Sequence, residues 1–357
     1  MVTNGSALRL LVTGAGAPGT WGTLYALRHN PDGRAVRVIG VDTQGDNAGA
    51  FLVDKFYKVP EPETTEYVEA LAEISRREEV FAVLPQTTRE IVTLSASLAQ
   101  IEEHGIRVMV SEAPVVAAAN DKSLVMEAFR RLGLPTAAYR RARSEGELVA
   151  AVRECGYPHV PVVVKPSVSN GMRGVRVVGA QAWDVHRFLT EKPQGLEISL
   201  YELIAILRRG VWPELLVMEY LPGEEYTVDA FCGSQLSVAV PRQRTSIRSG
   251  ITFHSRTELR EDLMEYTLSA GRELGLRYVF GFQFKLDRNG IPKVLECNPR
   301  IQGTMVASVF SGANVIWFGV RELMGDPVRV LNQPLRASEF LRYWGGVTVD
   351  GGAIGEN

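Results

Sequence analysis

The sequence predicts an α/β protein in which a doubly wound parallel sheet is followed by a longer α+β region. Three observations predict it. Strand-like and helix-like patterns alternate through the first third of the 357 residues. A glycine-rich turn joins the first strand to the first helix. Residues 278–302, YVFGFQFKLDRNGIPKVLECNPRIQ, read as a β-hairpin. The length suggests about two or three domains with a sizeable core.

Apolar residues make up 45% of the chain, charged residues 22%, and the formal net charge is −2. That balance argues against a broad electrostatic surface for nucleic acid or anionic membrane. No apolar run reaches the ~20 residues of a membrane span. The opening MVTNGSALRLLVTG lacks the basic region, apolar core and cleavage site of a signal peptide, so its apolar stretch reads as a first strand. Cys155, Cys232 and Cys297 form no CxxC pair, which predicts reduced thiols and a cytoplasmic location. The five histidines show no zinc spacing.

In order, residues 7–13 are a buried-type strand, 14–19 (GAGAPG) a glycine turn, and a helix runs to about residue 29. Residues 36–41 form a second strand ending at Asp42. In form this fits a dinucleotide fingerprint, with a helix N-terminus for pyrophosphate and an acid for ribose. It also fits a tight β–α turn that holds no dinucleotide. Residues 65–78 are helical and 80–84 a strand. Residues 88–105 form a helix with Ile91, Leu94, Leu98 and Ile101 on one face, and 106–110 another strand. A parallel sheet of about four strands follows. Residues 85–90, PQTTRE, lie at a strand end, where doubly wound sheets meet ligands. Glu90 suits that role or the helix dipole.

Residues 112–114 mark a boundary. Asn120 or Asp121 caps a helix to about residue 132, with Leu124, Ala128 and Leu132 inward. Lys122 therefore lies in a first turn, where the dipole makes a cation mildly unfavourable. It is either a solvated lysine or an anion contact. Residues 162–165, VVVK, are an apolar strand ending in Lys165. The loop SVSNGMRG (167–174) follows, with Ser169, Asn170 and Gly171 at its centre. Such a loop presents backbone N–H groups to phosphate, or is an ordinary hairpin connection. Its spacing is not a Walker loop. Residues 180–213 are helical in two pieces, the second packing through Ile198, Leu203, Ile206 and Leu207. Residues 215–220 form a strand, and Glu219, Tyr220 and Leu221 precede a turn into the next strand at Glu224. Arg242, Arg244 and Arg248 either guard an edge strand by charge or contact an anion, with Arg248 the preferred contact.

In the hairpin, Phe280, Phe282, Phe284 and Leu286 alternate with Gln283, Lys285 and Asp287, and Asn289-Gly290 supplies the turn. Pairing Arg288 with Ile291 puts Gln283 opposite Glu296, with Cβ atoms ~5 Å apart. Glu296, Asn298, Arg300 and Gln302 fall on every second residue and share a side if the chain stays extended. Pro299 ends the ladder. Oxygen donors and a guanidinium gathered on one surface suit a hard cation carrying phosphate. A helical region follows Gln302, Gly325 closes a helix, and residues 341–344 read as a last strand.

The string ECNPR after a QF-containing strand, with Lys122, Lys165 and its glycine loop, and residues 219–229 ahead of it in that order, resembles the ATP-grasp superfamily. The likeness covers essentially the whole chain and is closest to the branch of the carbamoyl-phosphate-synthase large subunit and other carboxylate–amine ligases, where Gln often stands at the first metal position. It implies an ATP-grasp fold of two α+β lobes preceded by a Rossmann-like pre-ATP-grasp domain. The expected limits are 1–113 for the first domain, 114–349 for the ATP-grasp region with a flap lobe at about 134–221, and a flexible tail 350–357.

The same resemblance implies ATP-dependent amide formation through an acyl phosphate. Lys122 and Lys165 would hold nucleotide phosphates under a flap that includes Ser169, Asn170 and Gly171. Glu219, Tyr220 and Leu221 would meet the purine, and Glu225 the ribose. Gln283, Glu296 and Asn298 would ligate Mg²⁺, or Mn²⁺ in its place, with one ion or two left open. Arg300 and Lys165 would be catalytic, and Arg248 and Arg300 would contact substrate. The expected partners are a small-molecule carboxylate and an amine, with no nucleic acid or membrane and with room for a homodimer. The sequence shows one ATP-grasp half and no glutaminase portion, which argues against a full carbamoyl phosphate synthase. Two alternatives stand beside the ligase. One is a carbamoyl-phosphate-synthase-like ATP-binding module without independent ligase activity. The other is an NAD(P)-dependent oxidoreductase built on residues 14–19 and Asp42.

Overall fold

A computed structural model of the chain describes residues 7–169, 172–179, 185–190, 195–248, 250–343 and 345. Asn170, Gly171, Trp344 and the tail 350–357 lie outside the described residues. The chain forms two compact units. Unit 1 comprises residues 1–117, 227–281 and 298–357, and unit 2 comprises 118–226 and 282–297.

Unit 1 begins with five strands: β1 (Leu8–Thr13), β2 (Val36–Asp42), β3 (Lys55–Lys58), β4 (Ala82–Leu84) and β5 (Arg107–Val108), in the order β3-β2-β1-β4-β5. Every neighbouring pair is parallel. In β1, Leu8, Leu10 and Val12 enter one core and Leu11 the other. A parallel sheet covered on both faces buries alternate side chains in different layers, so its strand reads as one apolar run. The extra strand β3, KFYK, is short and mostly half-exposed, which hides its period. Two helices, Thr88–Ala96 and Leu98–Glu103, replace the single expected one, with Ser97 ending the first and opening the second.

The second sheet contains β6 (Tyr139–Ala142), β7 (Val162–Pro166), β8 (Arg176–Val178), β9 (Glu197–Ile198) and β10 (Leu215–Glu219), in the order β6-β10-β7-β8-β9. The helix Lys122–Arg131 precedes it. The Asp121 carboxylate caps that helix, accepting from the N–H groups of Ser123 at 2.8 Å and Leu124 at 3.3 Å. Its buried side includes Val125, Met126, Ala128 and Phe129, whereas Leu124 and Leu132 are exposed. This corrects the expected inward face. Phe129 sets the helix rotation, its ring lying 5.6 Å from Phe282 and 5.9 Å from Phe284. In the helix Leu200–Leu207, Leu203 is buried but Ile206 is not.

The third sheet runs β15-β14-β11-β12-β13-β16, with β11 (Glu225–Cys232), β12 (Ser237–Arg248), β13 (Ile251–Thr257), β14 (Tyr278–Leu286), β15 (Pro292–Asn298) and β16 (Glu339–Leu341). The hairpin is present, but its turn differs from the expected one. Gly290 N–H donates to Asp287 O at 3.1 Å and Asp287 N–H to Ile291 O at 3.0 Å. Gly290 has φ +76°. Asp287, not Arg288, therefore pairs with Ile291, in a three-residue loop whose last position needs the left-handed conformation of glycine. Farther along β15, buried Val294 and Cys297 stand three residues apart, so strict alternation lapses beside Glu296. The strand ends at Asn298, and Arg300 N–H donates to Asn298 O at 2.8 Å around Pro299. That turn ends the extended run before Arg300 and Gln302.

Candidate active site

In unit 2 the structure gathers three motifs that are far apart in sequence. Asp121 and Val168 form an isolated bridge, and Lys122 N–H donates to Ser167 O at 3.0 Å, so the helix start is stitched to the loop after β7. The Lys122 ammonium is buried. It donates to Ser169 O at 2.7 Å and Ser169 Oγ at 3.3 Å and lies 3.8 Å from the Glu296 carboxylate. Lys165, also buried, donates to Leu295 O at 3.1 Å. Burial of both ammonium groups lowers their pKa values, and the Glu296 carboxylate opposes the fall. For Lys165 the Lys122 charge adds to the fall and Glu225 opposes it, with the net result about 8. The cluster sets two buried ammonium groups against one half-buried carboxylate. That is a favourable setting for phosphate oxygens.

The remaining unit 2 residues are placed as follows. Glu219 accepts from Ala138 N–H at 2.9 Å through its side chain and donates to Ala138 O at 3.0 Å through its backbone. It thus fastens the end of β10 beside the start of β6. Tyr220 is 39% exposed, with the Lys285 ammonium 5.8 Å from its ring centroid, while Leu221 is buried. Glu225 opens β11 and is half-buried, as is Gln283 on β14.

Unit 1 holds a second set. Arg300 donates to Ile301 O at 2.9 Å, to Asn298 Oδ1 at 3.2 Å and to Thr88 Oγ1 at 3.4 Å. Thr88 belongs to the PQTTRE segment. In that segment Gln86 accepts from Thr23 Oγ1 at 2.6 Å and donates to Thr13 O at 3.1 Å. Glu90 accepts from Thr13 Oγ1 at 2.7 Å and from Thr87 N–H at 3.1 Å, completing a capping box. Burial raises its pKa, with Asp42 adding a small repulsion.

The glycine turn spends its donors internally. Gly16 N–H donates to Asp42 Oδ2 at 2.8 Å, Ala15 N–H to Val41 O, Ala17 N–H to Gly14 O, and Thr20 N–H to Ala17 O. Asp42 Oδ1 takes Gln44 N–H at 2.9 Å. Four backbone donors of this turn and both oxygens of Asp42 thus bond within it.

Of the three arginines in β12, the buried one is Arg242. Arg248 is exposed, with its guanidinium 4.8 Å from the Phe253 ring centroid. Arg242 Nε donates to Asp229 Oδ2 at 2.8 Å and Nη2 to Oδ1 at 3.3 Å, and Gln302 Nε2 reaches the same carboxylate at 3.0 Å. Gln302 is turned to this network by the break at Pro299. Sequence reasoning passed over the Arg242–Asp229 pair. Its available signal was Asp229 within the apolar β11, EYTVDAFC. An ionised group at an inward strand position requires a buried partner.

The family described as a PylC-like N-terminal domain matches residues 10–109, and the family described as ATP-grasp in the biosynthetic pathway with Ter operon matches residues 212–341. Residues 212–341 thus match an ATP-grasp family. Carbamoyl phosphate synthase large chain from Agathobacter rectalis is 27% identical over 291 residues, which is 78% of this chain and 25% of that relative's length. An ADP complex of N5-carboxyaminoimidazole ribonucleotide synthetase matches with a TM-score of 0.68 at 16% identity, over 94% of this chain and 81% of that one. The biotin carboxylase domain of Hydrogenobacter thermophilus 2-oxoglutarate carboxylase, solved with MgADP and bicarbonate, matches with a TM-score of 0.71 at 17% identity, over 93% and 73%. At those identities the solved structures share the ATP-grasp fold with this protein. No helix among its described residues is long and apolar enough to cross a membrane.

Proposed function

We propose that the chain is an ATP-dependent carboxylate–amine ligase. The observation that carries this reading is the burial of Lys122 and Lys165 around Glu296, assembled from three separate motifs. Two buried cations that share one carboxylate call for further negative charge, and nucleotide phosphates supply it. In this reading Lys122 and Lys165 hold phosphate oxygens, and the loop from Ser169, with Asn170 and Gly171, covers them. Tyr220 and Leu221 meet the purine, and Glu225 the ribose. Glu219 supports the purine site through its bond to Ala138.

The chemistry has two steps. A substrate carboxylate oxygen attacks the γ-phosphorus as the bond to the β-phosphate oxygen breaks, giving an acyl phosphate and ADP. An amine nitrogen then attacks the acyl carbon, the bond to phosphate breaks, and the amine proton is lost. Arg300 stabilises charge on the transferring phosphoryl group and on the tetrahedral intermediate, and Asn298 orients its guanidinium. Gln283, Glu296 and Asn298 offer one carboxylate and two amide oxygens. Among the described residues no group of three or more His, Cys, Asp or Glu could hold a metal. That donor set fits Mg²⁺ or Mn²⁺ brought in on phosphates, because such an ion takes only one or two protein oxygens. When bound, the ion neutralises phosphate charge. Arg248 is retained as a substrate contact from the acceptor side.

The test is a phosphate-release screen of amino acids and small acids against an amine panel. Arg300→Ala is expected to abolish ADP release while ATP affinity stays within about tenfold. Unchanged turnover would remove its role. The coverage of only 25% of the synthase relative favours one second reading, an ATP-binding module that works with other protein. Tight ATP binding with no ADP formed from any acid would select it.

A further inference from the structure

In unit 1 a buried guanidinium nitrogen has no partner among the described residues. Arg242 is 1% exposed, and its Nη1 is buried without a hydrogen bond, although Nε and Nη2 both bind Asp229. That carboxylate is already shared with Gln302. A bare N–H on a buried charged group is costly, and a partner is expected there.

Arg342 is a second cation in the same region. Its guanidinium donates to Pro18 O at 2.6 Å, Gly303 O at 2.7 Å and Thr252 O at 3.3 Å, and it binds no carboxylate among the described residues. Burial disfavours its charge, and so does the positive charge of Arg242. Arg244 adds to the same strand, donating to Thr252 Oγ1 at 2.8 Å and Gly250 O at 2.7 Å. A guanidinium does not shed its proton to relieve such repulsion. A water molecule would satisfy Nη1 and leave the repulsion in place. An oxyanion answers both needs.

We propose that Arg242 and Arg342 form an anion subsite in unit 1 that takes the oxyanion of a small molecule, a carboxylate or a phosphate. Assigning that molecule to the reaction rests on the ligase reading, and it then names the substrate class: an acid or amine that carries a second acidic group. The subsite itself stands without that reading.

The experiment uses the full chain saturated with MgADP, so that the lysine cluster is filled, and titrates inorganic phosphate, glutarate or acetate by calorimetry. Phosphate or glutarate is expected to bind, and the stronger of the two identifies the oxyanion. Arg342→Gln keeps two amide N–H donors and removes the charge. It should weaken that binding by about tenfold or more with ADP affinity unchanged. Absence of binding to the wild type, or equal binding by a folded Arg342→Gln, overturns the subsite. If that variant does not fold, a crystal structure of the wild type soaked in phosphate decides. Phosphate on Arg242 Nη1 supports the subsite, and water alone there overturns it. ADP affinity is read separately, so failure of the nucleotide reading is distinguishable from failure of the subsite.

Discussion

The two units bury positive charge in different ways. In unit 2 the cations are lysines, Lys122 and Lys165, held by backbone carbonyls and the half-buried Glu296. In unit 1 they are arginines, with Arg242 locked on the fully buried Asp229. An ammonium under desolvation responds by lowering its pKa, whereas a guanidinium stays charged and needs a permanent counterion. The lysine cluster is therefore adjustable in charge. The Arg242–Asp229 pair is structural, and removing one side of it leaves a naked charge.

The largest expected effect breaks that pair. Arg242→Met should cost roughly 3–5 kcal/mol in unfolding free energy, measured by urea denaturation, because Asp229 is left uncompensated. Adding Asp229→Asn should recover part of the loss. If Arg242→Met unfolds like the wild type, the contrast between the units is wrong.

Next, Lys165→Met should weaken ADP binding by about 10- to 100-fold, the worth of one charge-assisted bond. The same change should stabilise the ligand-free protein by about 1–2 kcal/mol at neutral pH, because a buried charge is removed. Calorimetry and thermal unfolding read the two effects, which must have opposite signs.

The pH dependence sharpens the point. The folded pKa of Lys165, about 8, lies below its ordinary unfolded value of about 10.4. Between those values the unfolded chain binds more protons, so stability rises with pH across that window, and the penalty is fully present below about 8. ADP affinity should run the other way and fall above about pH 8 by up to about tenfold per unit. Lys165→Met should flatten both curves.

The smallest effect concerns Glu90. Burial raises its pKa, so its proton is favoured in the fold, and stability falls as pH rises above the usual carboxylate range. Gln in its place keeps an acceptor for Thr13 Oγ1 and Thr87 N–H. Glu90→Gln should raise the melting temperature at pH 7 slightly and lose its advantage in acid. A large loss at pH 7 would mean that the charge itself is needed.

Local rules made much of this molecule legible. Apolar runs marked four of the five strands of the parallel sheet, Asp121 announced its cap, Asn289-Gly290 the hairpin, and Gly325 a helix end in the left-handed conformation. Each depends on neighbours within a few residues, where chirality, sterics and one or two hydrogen bonds decide the outcome. Motif order carried the ATP-grasp reading for the same reason, since a residue's type and spacing are written in the chain.

Other features depended on packing between distant segments. The one-residue change at the hairpin turn arises from Gly290 taking a left-handed conformation in a three-residue loop, which the dipeptide alone does not distinguish from a two-residue turn. The rotation of the helix Lys122–Arg131 was set by Phe129 against Phe282 and Phe284. The carboxylates of Asp42 and Glu219 accept backbone N–H groups from segments far away in sequence, Gly16 and Ala138. Sequence states which charges a chain carries; only the fold states which are taken out of water, and what they meet there. Desolvation and partner geometry are properties of three-dimensional neighbours, and they separate a solvated lysine from Lys122 and an edge-strand arginine from Arg242.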